Sequence, residues 1–346
     1  RLPFGKYGVN FSPAESHTPM AIARASSPLP QARGVSAWFR NLALLTALSV
    51  FALVVLGGVV RVTGSGLGCP DWPLCYGGIL PPLQTEAIVE FSHRLLASAL
   101  VGPLVLALCV ATWMFHRDKG WLIVPTTLAV VLTLGQAILG GATVLNELPA
   151  GAVAAHLALG EALLGCMVFI FITALIGPPS FGSTAVRRGG NGAFPMLAVA
   201  SALVVYGILL TGSYVAVSNA TWACTDWPLC NGDLFPTHKL AAIHMAHRVA
   251  TVVLGLLVMY VLHLGLRRGR QPMEVRLLSM AATAVFLAQV IVGALTIWLK
   301  FPEELRALHL ALGTAVWAAM AGLAALSLAP RDQAGWDQAG REMVHA

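Results

Sequence analysis

The sequence predicts an all-α polytopic membrane protein with eight transmembrane helices, arranged as two tandem, pseudo-symmetric four-helix bundles. Of its 346 residues, 57% are hydrophobic and 10% are charged, and the mean hydropathy is +0.77. That composition excludes a water-soluble domain of this size. The apolar runs are long and unbroken, which favours helices over the alternating strands of an outer-membrane barrel. Motifs of the first half also recur in the second.

The apolar stretches give the predicted spans and the division of the chain. A helix needs about 20 mostly apolar residues to cross roughly 30 Å of hydrocarbon. Eight such stretches run approximately over residues 38–61, 88–115, 121–145, 152–176, 194–216, 240–266, 275–299 and 305–328. We expect an N-terminal tail at 1–36, bundles at 37–176 and 193–329, a linker at 177–192 and a C-terminal tail at 330–346. The first tail is polar and has no apolar segment before a cleavage site, so we expect disorder rather than a secretory signal.

The basic residues indicate how the chain is oriented. A formal net charge of +6 could point to nucleic acid, but the Lys and Arg residues form short clusters between apolar spans. Most of these clusters fall in the tails and in alternate connections, so both termini are predicted to be cytoplasmic. The sequence therefore predicts the lipid bilayer as a partner and no nucleic acid.

Three motifs recur at a nearly constant offset. The heptapeptide from Cys69 to Cys75 recurs with one change from Cys224 to Cys230, and Ser-His-Arg at 92–94 recurs as Ala-His-Arg at 246–248. The pentapeptide His-Leu-Ala-Leu-Gly at 156–160 is repeated unchanged at 309–313. Because each unit holds four spans, we expect the halves to be related by a pseudo-twofold axis along the membrane normal.

Four histidines lie inside predicted spans, near their outer ends, and they are His93, His156, His247 and His309. Ionisable groups at such depth are costly, which makes a functional role the first hypothesis. Two imidazoles from two helices of one bundle can supply both axial ligands of a haem iron. We therefore predict that His93 pairs with His156, and His247 with His309.

Two further observations bear on the haem hypothesis. Gly160 and Gly313 lie one turn after a histidine, where the absence of a side chain would let a flat macrocycle approach. A di-metal carboxylate site is disfavoured because the Glu-x-x-His pattern does not recur. The alternative is that each histidine is a hydrogen-bonded packing residue.

The two halves differ at two acidic positions. Glu90 lies three residues before His93, whereas the equivalent residue before His247 is His244, and Glu161 has Thr314 as its counterpart. A carboxylate beside a haem could act as an acid, a base or a stabiliser of a developing cation, so Glu90 is the candidate catalytic residue. The alternative is that Glu90 caps the second helix near the outer interface. The roles of Glu161 and His244 are left open.

The cysteines of the two outer loops form two pairs, Cys69 with Cys75 and Cys224 with Cys230. In an oxidising compartment each pair could close a small ring, and we predict two disulfides that shape the loops. Metal binding is the rival, although the spacing does not match a zinc knuckle and no histidine stands beside the pairs. A redox-active first pair stays open.

These motifs together resemble the haem A synthase family, membrane enzymes that convert haem O to haem A for terminal oxidases. The resemblance covers about residues 38–328 and is carried by the segment from Gly57 to Cys75, Glu-Phe-Ser-His-Arg at 90–94, both His-Leu-Ala-Leu-Gly segments and the second cysteine pair. It implies that His247 and His309 hold a resident haem b. It also implies that His93, His156 and Glu90 form the pocket where haem O is oxidised, and that Cys69 and Cys75 form a disulfide.

The resemblance implies the chemistry and the partners as well. The methyl group at haem position 8 would be hydroxylated in successive steps with oxygen from water, then dehydrated to a formyl group. Expected partners are haem O, a haem O synthase, and a quinone or another electron acceptor, in the bacterial cytoplasmic membrane. Two other functions stay open: a di-haem electron carrier of the cytochrome b type, and a transporter of haem or another small molecule.

Overall fold

The computed structural model describes residues 35–179, 193–268 and 271–328. Over these ranges the chain forms eight helices that are long and apolar enough to cross a membrane. In chain order they are α1 (Ala37–Val62), α2 (Thr85–Phe115), α3 (Gly120–Leu145), α4 (Ala150–Ile176), α5 (Phe194–Val217), α6 (Lys239–Leu266), α7 (Met273–Trp298) and α8 (Glu303–Ser327). The predicted all-α membrane fold is confirmed.

The helices extend slightly beyond the predicted spans. α2 begins at Thr85 and α8 at Glu303, each a few residues before its apolar window. The added first turns contain Glu86, Glu303 and Glu304, and acidic groups near a helix N-terminus interact favourably with the helix dipole. A search for apolar residues alone misses such turns. The predicted tails and most of the linker lie outside the described residues, so those predictions are not addressed.

α2 differs from the other helices because it contains a π-helical segment at Leu96–Val101. The segment is followed directly by Gly102 and Pro103. Proline has no N–H group and its ring crowds the preceding turn, so a wider turn before it accommodates both effects. In α6 the helix is continuous from Lys239 to Leu266. α2 and α6 carry the first histidine of each half, and they therefore differ in the segment that follows this histidine in the chain.

Helices α1, α4, α5 and α8 contact one another at the centre, while α2 and α3 pack beside α1 and α4, and α6 and α7 pack beside α5 and α8. A single apolar cluster joins both halves, with fully buried Leu164, Met167, Met320 and Leu323 at its centre. At the helix ends nearest the disulfide loops, Arg306 donates to the carbonyl oxygen of Val62 at 3.1 Å. The pseudo-symmetric division into two bundles stays a prediction.

The loops at 63–84 and 218–238 each contain one disulfide. Cys69 is bonded to Cys75 and Cys224 to Cys230, each with Cα atoms 4.7 Å apart, which confirms the predicted pairing. The four sulfur-bearing residues are buried against the first turns of α2 and α6. Each loop is therefore attached to a helix that carries a candidate haem ligand.

Candidate functional site

The four candidate histidines lie at matching heights in their helices. His93 and His247 each follow the first residue of their helix by eight positions, and His156 and His309 by six. With a rise of 1.5 Å per residue, these positions lie about 9 to 12 Å into the helices. Because all four helices begin on the side of the disulfide loops, the histidines share one level near that side.

Each of the four imidazole rings rests against a glycine of a neighbouring helix. A Cβ atom added at Gly57 or Gly212 would lie 3.0 Å from Cε1 of His93 or His247, respectively. At Gly140 it would lie 3.1 Å from Cε1 of His156, and at Gly293 2.8 Å from Cε1 of His309. Such distances are too short for an unstrained contact, so any other residue would displace the ring. We call these four residues the glycine seats.

The pairing of His93 with His156 and of His247 with His309 as haem ligands stays a prediction. His93 is close enough to His156 for an electrostatic interaction, and His247 is close enough to His309. The Nδ1 atoms of His93, His156 and His309 are buried without a hydrogen-bond partner. In the part of the chain that the structure describes, no group of three or more His, Cys, Asp or Glu side chains could hold a metal ion. A haem iron takes only two ligands from the protein.

Two imidazoles from two helices of one half are the donor set that a haem iron takes from a protein, and Nε2 is the atom that would bind it. The unpaired Nδ1 atoms are buried polar atoms without partners, which is unusual in a protein interior. Gln136 and Gln289 add two more, since Oε1 of each is buried and unpaired. Nε2 of Gln289 lies 3.3 Å from Nε2 of His309, the nitrogen that an iron atom would engage.

Gly160 and Gly313 each lie against a glutamine side chain of a neighbouring helix. A Cβ atom added at Gly160 would lie 2.8 Å from Nε2 of Gln136, and one added at Gly313 would lie 3.1 Å from Nε2 of Gln289. The amide of Gln136 donates to the carbonyl oxygen of His156 at 2.8 Å. An amide in an apolar interior needs such a partner, and the glycine lets it reach one. The expectation that a macrocycle approaches the backbone at these glycines stays a prediction.

Glu90 is 4% exposed and tied to the first disulfide loop. Its Oε2 accepts a hydrogen bond from the backbone N–H of Cys69 at 2.8 Å, and its Oε1 lies 2.6 Å from Nη2 of Arg94. Arg94 also donates to the carbonyl oxygens of Cys69, Asp71 and Leu74 at 2.6 to 2.8 Å. The alternative that Glu90 caps α2 is not supported, because its hydrogen bonds go to the loop and to Arg94.

The second half repeats the arginine but not the carboxylate. Arg248 donates to the carbonyl oxygens of Asp226 and Leu229, both at 2.7 Å. His244 takes the place of Glu90, with Nδ1 3.1 Å from the carbonyl oxygen of Ala220 and Nε2 3.4 Å from Arg248. His244 thus connects the loop to Arg248. The sequence left the role of His244 open, and the structure shows it in contact with the loop and with this arginine.

The loops are also closed by different side chains. In the first loop, the Asp71 carboxylate accepts hydrogen bonds from the N–H groups of Tyr76 at 2.6 Å and Gly77 at 2.7 Å. The hydrogen bond from Gly77 is the main cause that lowers the pKa of Asp71 below its usual value, and the bond from Tyr76 acts in the same direction. In the second loop, the side-chain oxygen of Asn231 accepts a hydrogen bond from the backbone N–H of Thr225, and its amide nitrogen donates to the carbonyl oxygen of Ala223.

Glu161 does not face the histidine of its own helix. It is 0% exposed, and its Oε1 accepts a hydrogen bond from the hydroxyl of Thr314 at 2.6 Å. Trp317 donates its indole N–H to the backbone oxygen of Glu161 at 2.8 Å. Glu161 and its counterpart Thr314 therefore meet between α4 and α8, where they connect the two halves.

The sequence reasoning overlooked the glycine seats and the two arginines. A signal for both was present in the repeat. Gly57 recurs as Gly212 and Gly140 as Gly293, at nearly the same offsets as the histidines, and Arg94 and Arg248 end recurring motifs. Recurrence alone does not say what a glycine contacts, so the seats become visible only in the structure.

Comparison with known proteins agrees with this geometry. The sequence model of the COX15-CtaA family, described as a cytochrome oxidase assembly protein, matches residues 40–321. The chain is 30% identical over 274 residues to proteins named heme A synthase from Bacillus mycoides (strain KBAB4) and Bacillus cereus (strain AH187). In both cases the match covers 78% of this chain and 86% of the relative.

Proposed function

The chain belongs to the COX15-CtaA family of cytochrome oxidase assembly proteins, and we propose that it is a haem A synthase. The observation that carries the proposal is the set of four seated imidazoles at one level, two in each half. The first half alone adds a buried carboxylate, Glu90, one turn from a candidate ligand. This asymmetry fits one site that reacts and one that serves it.

We assign the sites by that asymmetry. His247 and His309 would hold a resident haem b, whose redox-active iron supplies one-electron transfer when it is bound. His93 and His156 would bind the substrate, haem O, through its iron. The imidazole pairing in each half and the glycine seats support this assignment, and the Glu90 cluster supports the choice of the first half as the reacting one.

The overall reaction at the first site would replace a methyl group by a formyl group. Written for the methyl substituent R–CH₃, it is R–CH₃ + H₂O → R–CHO + 4 H⁺ + 4 e⁻. The first hydroxylation gives an alcohol, the second gives a geminal diol, and loss of water gives the aldehyde. Each hydroxylation releases two electrons and two protons, so an external acceptor such as a quinone must take up the electrons.

The chain contributes charge and position to this reaction. Removal of electrons from the methyl carbon leaves positive charge there, which a fixed carboxylate stabilises in a medium of low dielectric constant. Arg94 at 2.6 Å and the N–H of Cys69 hold Glu90 in place. We therefore assign Glu90 the role of electrostatic stabiliser, because Arg94 and the N–H of Cys69 fix both of its oxygen atoms.

The same proposal includes the setting of the enzyme. Eight apolar helices and the family indicate an integral membrane protein. We propose that it lies in the bacterial cytoplasmic membrane with both termini cytoplasmic, which places the disulfide loops and the haem level on the outer side. A haem O synthase is proposed as the source of the substrate.

The test is a turnover experiment with the purified protein in liposomes. Haem O and a quinone are supplied in ¹⁸O-labelled water, and the extracted haems are separated by chromatography and mass spectrometry. The proposal predicts labelled haem A from wild type. In E90Q it predicts retained haem b and at least a tenfold loss of formyl product, since one fixed charge at a reacting centre contributes roughly that much or more.

Two outcomes would replace the proposal. Unchanged haem O together with reversible reduction of two haems would indicate an electron carrier. Passage of unmodified haem across vesicles would indicate a transporter. An E90Q variant with the wild-type yield of haem A would remove the assigned role of Glu90 but leave the enzyme assignment standing.

A further inference from the structure

One histidine of the four differs from the others in what its ring nitrogen contacts. Nδ1 of His247 lies 2.8 Å from the hydroxyl oxygen of Thr211. The Nδ1 atoms of the other three histidines have no hydrogen-bond partner. Thr211 immediately precedes the seat Gly212 on α5, so the seat and the hydroxyl approach the same ring from adjacent positions.

The direction of this hydrogen bond follows from counting hydrogens. A threonine hydroxyl has one hydrogen to donate, and the hydroxyl of Thr211 lies 2.7 Å from the backbone carbonyl oxygen of Ile208, which can only accept. With the hydroxyl hydrogen directed to Ile208, the hydroxyl oxygen accepts from Nδ1–H of His247. That fixes the tautomer of the ring, and the lone pair lies on Nε2, where a metal would bind.

The first half lacks this arrangement. The residue that precedes Gly57 is Leu56, which has no hydroxyl. The carbonyl oxygen of Leu53 is near the ring of His93, as the carbonyl oxygen of Ile208 is near that of His247. The backbone environment is therefore alike, and the hydroxyl is the difference.

We infer that Thr211 is a positioning residue that retains the resident haem, by fixing the tautomer and the orientation of His247. This inference rests on the proposed function, since it assumes haem b in the second half. A ligand imidazole whose N–H is hydrogen-bonded is oriented in advance and is a stronger donor to the metal. A resident cofactor needs such retention, whereas a substrate haem in the first half must leave after each turnover.

The experiment compares T211V, T211S and the control T283V. Valine has the shape of threonine without the hydroxyl, and serine keeps the hydroxyl. Thr283 makes only the intrahelical hydrogen bond to the carbonyl oxygen of Ser279 at 2.7 Å, so T283V removes a comparable bond away from the histidines. The readouts are the rate of haem b transfer to excess apomyoglobin and the midpoint potential of the haem in the purified holoprotein.

T211V is expected to lose haem b roughly tenfold faster or more, the size of effect seen when an outer partner of a metal ligand is removed. Its midpoint potential should rise, since a weaker donor stabilises the oxidised iron less. T211S and T283V should match wild type in both measurements. A T211V protein with the wild-type transfer rate and potential would overturn the inference, as would T211S behaving like T211V.

The proposed function and the role of Thr211 are distinguished by different outcomes. If wild-type protein shows no low-spin haem with two imidazole ligands, the proposed function fails. If wild type holds that haem and T211V holds it equally well, only the role of Thr211 fails. Should T211V not fold, the comparison of T211S with wild type still decides, because a serine that cannot retain haem contradicts a role for the hydroxyl.

Discussion

Helices α2 and α6 each carry a histidine and an arginine at equivalent positions, but other side chains that contact their disulfide loops differ in charge. In the first half, Glu90 and Asp71 are carboxylates that hold backbone N–H groups of the loop. In the second half, His244 takes the place of Glu90, and the loop is closed by Asn231, the counterpart of Tyr76, although Asp226 matches Asp71 in the sequence. Both loops are also held by an arginine. The first half adds carboxylates at the loop and leaves Nδ1 of its histidine without a hydrogen bond, whereas the second adds an imidazole and an amide at the loop and has a hydrogen-bonded Nδ1.

This difference indicates how two halves with the same helical arrangement can have different roles. The glycine seats and the arginine contacts are common to both halves and set where a haem could lie. The charged residues near His93 and the hydroxyl near His247 are specific to one half each. We therefore interpret the shared contacts as the binding framework and the unshared ones as the source of reactivity in one site and retention in the other.

The largest expected difference concerns the two arginines. In R94A the carboxylate of Glu90 would be left buried without its cation, and breaking a buried ion pair in this way costs about 3–5 kcal/mol. In R248A the neighbouring His244 is not a carboxylate, and the loss of hydrogen bonds to carbonyl oxygens costs about 1–3 kcal/mol. The free energy of unfolding, measured by titration of the purified protein with SDS, should therefore fall more in R94A.

A double variant sharpens that comparison. In R94A/E90Q the buried group is neutral, so part of the stability lost in R94A should return. Equal losses in R94A and R248A, or no recovery in the double variant, would mean that charge is not what distinguishes the two loops.

The next largest effect should come from the glycine seats. In G212A the new methyl group would lie 3.0 Å from Cε1 of His247, and the ring must move. Overpacking of this kind costs about 1–3 kcal/mol, so we expect roughly a tenfold lower affinity for the resident haem. The measurement is haem b content after purification and dilution.

Gly207 supplies the matched control on the same helix. A Cβ there meets nothing within 4 Å, and alanine is the better helix former, so G207A should be at least as stable as wild type. G57A should impair haem A formation and leave the resident haem unaffected. A G57A protein that loses haem b as readily as G212A would contradict the separation of the two sites.

The smallest expected effect is a pH dependence confined to the first loop. Hydrogen bonds from the loop lower the pKa of Asp71. The carboxylate therefore holds the loop fully at pH values above about 3.9, the pKa of an aspartate in the unfolded chain. The contribution is lost as pH falls through the lower pKa of the folded state. The rate of reduction of Cys69–Cys75 by a phosphine should then rise severalfold between pH 5 and pH 2.

The second loop is the internal reference, because Asn231 does not titrate. Reduction of Cys224–Cys230 should change little over the same pH range. D71N should reduce quickly at every pH, with a flatter profile in the first loop. Parallel pH profiles for the two disulfides in wild type would show that Asp71 does not control access to the first.

Much of the fold could be predicted from the sequence, because a membrane span is set by composition over a long window. The eight helices were predicted in this way, and both disulfides were predicted from the paired cysteines of the two loops. Helix starts were less accurate, since the polar first turns at Thr85 and Glu303 carry no apolar signal. The histidines were identifiable because an ionisable residue in an apolar span is costly.

Contacts between helices could not be predicted in the same way. That Gly57 seats His93, or that Gly160 admits Gln136, depends on how two helices are rotated against each other, which a single sequence does not specify. Gly160 illustrates this, because its spacing from His156 is visible in the sequence while its contact with Gln136 is not. Thr211 was overlooked because a hydroxyl near a helix end has many possible uses.

The central claim is that each half holds one haem and that the two differ in residence, and haem analysis of purified H156A and H309A tests it most directly. The account predicts that H156A keeps one low-spin haem b per chain and forms no haem A. It predicts that H309A loses the resident haem b. H309A that retains haem b, or H156A that loses it, would contradict the account.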